Sequence, residues 1–248
     1  DAKLALRDLR DAVDLKDPKI AERRAWLDEI AARKDAYFAD AAVKAAATSR
    51  PIKPQRVFAA LRRLLDPETV IVADPGTPTP FLSAEYPLAQ AGRWTVVPRA
   101  HGGLGFAIPA VVGAYFAAAG KRVVGLCGDG SFGMSCGELE TISRLGLPIT
   151  LIQFNNGSFG WIKELQHLYH DDRFLSVDFN PVDYAAIARG FGFRAEQVVD
   201  PEDVEPAIAR ALDSGQPAFV DFVSESPLTE TPPVAAWLAA KAARQGAR

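Results

Sequence analysis

The sequence predicts an α/β protein: a parallel sheet with helices on both faces, preceded by a helical linker and followed by a C-terminal tail. Two observations carry this expectation. Between residues 51 and 227 short apolar runs alternate with helical segments, a pattern that makes parallel strands with helices as the crossovers. The two central runs, Val123 to Cys127 and Ile149 to Phe154, are almost uninterruptedly apolar, as strands buried within such a sheet require.

Taken in order, residues 1–50 are helical and charged, with no strand pattern, and read as the end of a preceding domain plus a connection closing at Ser49-Arg50-Pro51. A helix at 54–65 precedes a strand at 69–74, and a strand at 94–97 leads into a helix at 105–119. The central strands follow. The segment between them carries a helix beginning near Ser131 to Gly133, with Glu138, Leu139, Ile142 and Leu145 in its pattern, and Gly146 and Pro148 stop it. Beyond lie a helix at 181–190, a strand at 193–199, a helix at 203–213 and a strand at 217–223. Residues 228–248, with Pro232, Pro233 and an Ala-rich end, form a tail outside the sheet.

At 248 residues and 48% apolar, the chain can bury one substantial core. A net charge of −3 offers no basic surface for nucleic acid. No apolar run reaches the ~18 residues of a membrane span, and no signal peptide is visible. The two cysteines, Cys127 in a core strand and Cys136 in a helix, suit a reducing, cytoplasmic compartment. The chain opens at Asp1 and its single methionine is Met134, so a processed subunit, a trimmed piece or a fragment is expected.

The chemistry concentrates in Val123 to Gly160. If the two central strands are parallel neighbours, their carboxyl ends lie side by side, and Asp129 past the first end can face Asn156 past the second across a crevice. A carboxylate and a carboxamide converging there are hard oxygen ligands suited to Mg²⁺, which completes its shell with phosphate oxygens and water. Gly128 and Gly130 let backbone approach a large anion, and the helix beginning near Ser131 points its amides at it. The same loop, Gly128-Asp129-Gly130-Ser131-Phe132-Gly133, also fits a dinucleotide-binding G-x-G-x-x-G. Against that rival, the second strand ends in Asn155-Asn156 rather than a ribose-holding acid. A carboxylate inside the loop would also repel a pyrophosphate unless a cation lay between. A structural glycine turn is the remaining alternative.

These residues resemble the thiamine-diphosphate (ThDP) enzymes, whose signature is GDG followed, after about two dozen residues, by NN. Here it runs from Gly128-Asp129-Gly130 to Asn155-Asn156. The resemblance implies the diphosphate-binding domain of the ThDP fold, with Mg²⁺ held by Asp129, the Asn156 side chain and the Ser158 carbonyl. In the segment HGGLGFAIP, Leu104 matches the aliphatic wedge under the bent cofactor and Gly102 the carbonyl that accepts from its aminopyrimidine. An ordinary helix start with core packing is the plainer reading of that segment. In the loop Asp74 to Thr79 after the strand, Gly76 and Thr77 match a strand-end segment that reaches the cofactor, although Pro75 and Pro78 depart from the pattern and remove amide donors; a plain turn capping the next helix is the alternative. Gly128, Gly130, Ser131 and Phe159 complete the cofactor-binding set, and Trp161 and Leu165 would wall a substrate pocket or serve as core.

Leu104 and His101 are the catalytic candidates, the latter for proton handling, though a rim histidine without such a role is the alternative. His167 and His170 beside Asp171 and Asp172 have a metal-like spacing but read as a solvated helix end. The opening DAKLALRDLRDAV resembles the last helix of the middle domain in acetolactate-synthase-like members. Simple pyruvate decarboxylases place a glutamate where this chain has Ile162, so the resemblance favours the acetolactate synthase, pyruvate oxidase and 2-hydroxyacyl-CoA lyase branch. It implies a C–C lyase or carboligase acting on 2-oxoacids or 2-hydroxyacyl-CoA compounds. A 2-oxoacid decarboxylase subunit and a non-catalytic assembly subunit are the alternatives. The glutamate that activates the pyrimidine ring has no candidate here. The resemblance therefore implies a pyrimidine-binding domain or partner subunit, in a homo- or hetero-oligomer acting on a small molecule.

Overall fold

The computed structural model describes residues 1–13 and 19–246. Residues 1–41 and 42–248 are two separate compact units. The first holds α1 (Ala2–Ala12) and most of α2 (Lys19–Ala46). The Asp1 carboxylate caps α1 by accepting from the Lys3 and Leu4 amides at 2.8 and 3.2 Å.

In the second unit α3 (Pro54–Leu64) leads to β1 (Val70–Ala73), α4 (Pro78–Glu85), β2 (Thr95–Val96), α5 (Ala107–Ala117) and β3 (Val123–Gly128). Next come α6 (Asp129–Ser135), a 3₁₀ turn at Cys136–Glu138, α7 (Leu139–Arg144), β4 (Thr150–Asn155) and α8 (Gly160–Tyr169). The chain closes with α9 (Tyr184–Gly190), β5 (Arg194–Val198), α10 (Val204–Leu212), β6 (Ala218–Val223) and α11 (Ala235–Gly246). The six strands form one all-parallel sheet in the order β2-β1-β3-β4-β6-β5. Among the described residues no helix is long and apolar enough to cross a membrane.

The period of two in each strand divides the core between the two faces of the sheet. Val124, Leu126, Ile152, Phe154, Val220 and Phe222 pack toward α3, α4 and α10, where the rings of Phe81, Phe58 and Phe154 stack in series at 6.4 and 5.5 Å. Val123, Cys127, Leu151 and Phe219 face the other way, toward α5, α7 and α9. On that face Phe132 meets Tyr184 and Phe219 at 5.4 and 5.2 Å. Burial on both faces is why the central strands read as continuous apolar runs.

The structure adds detail at two places. The helix after β3 starts at Asp129, not near Ser131, because Gly128 is its extended N-cap, and it breaks into the 3₁₀ turn before α7 resumes. The tail beyond residue 227 does lie outside the sheet, but its Ala-rich end forms α11 against α8. Trp237 is buried there, with its ring 4.0 Å from that of Trp161. The buried Glu164 accepts from Thr231, which in turn accepts from Lys241 at 2.6 Å. The alternation of the sheet gave no hint of this helix, because its reason for folding is a tertiary contact.

Candidate active site

Parallel pairing of β3 with β4 sets Gly128 beside Phe154, so the residues just past both ends meet. The carboxylate of Asp129, buried to 3% exposure, joins them. Its Oδ1 accepts from the Gly130 amide at 2.8 Å, and its Oδ2 from the Asn156 and Gly157 amides at 3.0 and 2.7 Å. Burial nevertheless pushes its pKa up to about 6, since those amides only partly offset the desolvation. In the turn that follows, the Ser158 hydroxyl donates to the Asn156 carboxamide oxygen at 2.7 Å. Asn155 faces the opposite way: its amide donates to Asp221 Oδ2 at 3.1 Å, and Gln153 and Gln197 donate to the same carboxylate.

At the end of β1 stands Asp74, fully buried. Its amide continues the ladder by donating to Leu126 at 2.9 Å. Its Oδ1 accepts from the Phe106 and Ala107 amides at 2.7 and 3.2 Å, and its carbonyl accepts from Thr79 at 2.6 Å. One carboxylate thus caps α5 and fixes the loop in front of it. Desolvation, opposed by the Ala107, Phe106 and Gly105 amides, raises its pKa to about 6. Sequence reasoning placed Asp74 at the head of a turn and missed this role. The available signal was α5 itself, which starts at Ala107 behind Phe106, an N-cap without a side chain able to cap it.

Between these two anchors opens a cavity of about 390 Å³. Gly76, Thr77, Gly102, Leu104, Gly128, Asp129, Gly130, Ser131, Asn156, Ser158, Phe159 and Trp161 all line it. His101 is exposed and not among its lining residues, and Leu165, half-buried on α8, is not either. Leu104 is 37% exposed at the surface of the cavity, whereas Phe106 is half-buried against the core. Arg99 and Ile162 line the cavity too; the sequence reading gave Arg99 no role.

The donor set fits a metal-bridged diphosphate. The buried Asp129 carboxylate, Asn156 and Ser158 line a space bordered by Gly76, Gly102, Gly128 and Gly130, and among the described residues the only basic side chain lining it is Arg99. At Gly102 (φ +71°) an added Cβ would meet nothing within 4 Å, so the backbone there is bare toward open space. At Gly130 an added Cβ would lie 2.6 Å from the Phe159 ring, so Phe159 packs directly on the loop.

Comparison with known proteins agrees with this geometry. The family model described as "Thiamine pyrophosphate enzyme, C-terminal TPP binding domain" matches residues 74–222. A probable acetolactate synthase large subunit of Methanococcus aeolicus is 30% identical over 191 residues, covering 74% of this chain and 32% of that protein. A probable sulfoacetaldehyde acetyltransferase of Rhizobium meliloti is 33% identical over 184 residues, covering 72% of this chain and 31% of that one. Among solved structures, the Rhodococcus jostii RHA1 thiamine diphosphate-dependent 4-hydroxybenzoylformate decarboxylase superposes with a TM-score of 0.67 at 26% identity, over 73% of this chain and 34% of that chain. The chain spans about a third of the length of these relatives.

Proposed function

The chain belongs to the thiamine pyrophosphate enzymes as their C-terminal TPP-binding domain, and from that membership we propose that it is the diphosphate- and Mg²⁺-holding half of a ThDP-dependent C–C lyase or carboligase acting on 2-oxoacids or 2-hydroxyacyl-CoA compounds. The observation that carries the reading is the suture of Asp129 to the Asn156 and Gly157 amides on one cavity with Leu104. In this reading Asp129, the Asn156 side chain and the Ser158 carbonyl hold Mg²⁺. Gly128, Gly130 and Ser131 receive the diphosphate, and Gly76, Thr77 and Phe159 border the cofactor. Leu104 would support the bound cofactor and the Gly102 carbonyl would accept from its aminopyrimidine. When bound, ThDP supplies an electron sink for a C–C bond that breaks or forms at a carbonyl carbon. The chain's own residues orient it and exclude water: Trp161 and Ile162 present apolar surface to the cavity.

Of the acidic side chains of the described residues, Asp129 alone lines the cavity. This supports a pyrimidine-binding domain or subunit that brings the activating glutamate, in a dimer or tetramer of active units. The unpaired cysteines, Cys127 buried and Cys136 half-buried, go with a cytoplasmic enzyme. A 2-oxoacid decarboxylase is the second reading, favoured by the decarboxylase named among the structural relatives. Ile162 on the cavity wall favours the carboligase branch over it.

The test incubates the complete protein with ThDP, Mg²⁺ and a panel of 2-oxoacids and 2-hydroxyacyl-CoA thioesters, with product identification, alongside calorimetry of ThDP binding. Metal-dependent ThDP binding and turnover that requires the pyrimidine-binding part are expected. Turnover by this chain alone, unaffected by the partner, or ThDP affinity unchanged by chelator, refutes the proposal.

A further inference from the structure

Arg99 stands on the loop between β2 and α5, three residues before Gly102. That loop is held at both ends. The Arg99 amide donates to Val97 and the Gly102 amide to Pro98, at 2.9 and 2.8 Å, and Asp74 pins the far end at Phe106. The side chain is exposed and lines the cavity. Its guanidinium makes no hydrogen bond or ion pair with any described residue, whereas Arg63, Arg144, Arg189, Arg210 and Arg244 are each paired with a carboxylate. An unpaired planar fork on an anchored loop, facing a cavity, is suited to a carboxylate, sulfonate or phosphate.

Three anions could meet it, and the geometry separates them. The cofactor's diphosphate has its own receptor in the proposed function, the Asp129 loop with its metal, while Arg99 belongs to the opposite, Leu104-bearing segment. A carboxylate that leaves as CO₂ loses its charge in the transition state. A guanidinium fixed on it would stabilise the ground state more than the transition state and slow the reaction. The remaining partner is an anionic group that the substrate carries away from its reacting carbon.

We propose that Arg99 is a specificity-determining residue that binds such a second anionic group, so that the preferred substrate is a 2-oxoacid or acyl compound bearing a distal carboxylate, sulfonate or phosphate. The proposal rests on the ThDP-enzyme reading above and narrows its substrate class. The distal charge can sit on a short acid or on the phosphates of an acyl-CoA, and the assay arms distinguish these.

The experiment compares wild type, Arg99→Gln and Arg99→Lys in the complete enzyme. One pair of probes is 2-oxoglutarate against 2-oxopentanoate, which has the same chain length without the distal carboxylate. The other is a 2-hydroxyacyl-CoA against the corresponding N-acetylcysteamine thioester, which lacks the phosphates. Arg99→Gln should lower kcat/KM for the charged member of one pair about 10- to 100-fold more than for its neutral counterpart, through KM, as loss of a charge-assisted contact does. Arg99→Lys should restore part of the preference, and calorimetric ThDP affinity should hold. Equal losses on both members of each pair overturn the proposal. So does weakened ThDP binding, which assigns Arg99 to the diphosphate, or weakened assembly with the pyrimidine-binding part, which assigns it to an interface. A wild type that turns over no probe refutes the proposed function instead. Arg99 is then judged by direct calorimetric binding of 2-oxoglutarate, where unchanged affinity in Arg99→Gln overturns it.

Discussion

Asp74→Asn separates an electrostatic cost from a geometric role in one residue. The carboxylate is completely buried, its Oδ1 holds two backbone amides, and its Oδ2 has no hydrogen-bond partner. Burial lifts its pKa from 3.8 to about 6. At 1.36 kcal/mol per unit, that shift corresponds to about 3 kcal/mol between the protonated and charged forms. The sign follows from linkage. With the folded pKa above the unfolded one, the folded state binds the proton more tightly. The stabilising contribution is complete below 3.8 and lost as pH rises through about 6. Asparagine keeps an oxygen for the Phe106 and Ala107 amides and carries no charge at any pH. The variant-minus-wild-type unfolding free energy should therefore rise by about 2 kcal/mol between roughly pH 4.5 and 7.5. The difference also removes the matching contribution of Asp129, whose pKa is raised to about 6 as well. The buried Cys127 thiol, whose pKa is pushed well up by burial with Asp74, Asp221 and Asp129 adding to it, stays neutral across this window. Urea unfolding of the cation-free protein at several pH values measures the difference. Parallel stability curves for the two proteins would refute the reasoning.

Three further outcomes follow from the same site. Gly130→Ala places a Cβ 2.6 Å from the Phe159 ring and 3.2 Å from Phe179, so overpacking should cost roughly 1–3 kcal/mol and weaken ThDP binding; an unchanged melting temperature would show the rings yield freely. Leu104→Ala removes a side chain that is 37% exposed, so its stability cost should fall below the ~2–5 kcal/mol of a buried leucine while turnover drops, and a variant that melts earlier yet keeps full activity restores a packing role. Asp129→Ala should abolish the divalent-cation dependence of ThDP binding in calorimetry; affinity equal to wild type with and without chelator removes Asp129 from the metal site.

The parallel core was legible because strands buried on both faces are predominantly apolar, and β3 and β4 display this with Thr150, Gln153 and the terminal Asn155 as the polar positions. Their adjacency followed from the crossover between them, and it brought Asp129 to the Asn156 turn as expected. What escaped was non-local. Asp74 caps a helix that begins 33 residues later, and a strand-end aspartate ahead of two prolines reads locally as a turn. Arg99 became visible only when a cavity formed around it. Glu164 sits in a sequence that looks like a surface helix, yet it is buried by a C-terminal segment whose composition resembles a loose end. His101 was drawn toward the site by sequence proximity to Leu104, but nearness along a loop does not set the direction of a side chain.

The adjacent asparagines show how the fold divides labour at one strand end. Asn155 ends β4 and Asn156 opens the turn beyond it, and their side chains take different partners. Asn155 turns to Asp221, which lies opposite Gln153 and Gln197 in the ladder and accepts from all three amides. Asn156 turns to the cavity with Ser158 hydrogen-bonded to its carboxamide. Each of the three buried acids, Asp74 and Asp129 just past strand ends and Asp221 within β6, thereby fixes a different piece of the site. Asp74 holds the Leu104 loop, Asp129 the turn of residues 156–158, and Asp221 the asparagine that launches that turn. Each acid is held by amide donors, and for Asp74 and Asp129 these are backbone amides. The loops that carry the proposed metal and cofactor contacts are consequently tied at Asp74 and Asp129 through main-chain amides. Tolerance should differ accordingly: substitutions at lining side chains alter affinity, whereas loss of any one of these acids releases a whole loop.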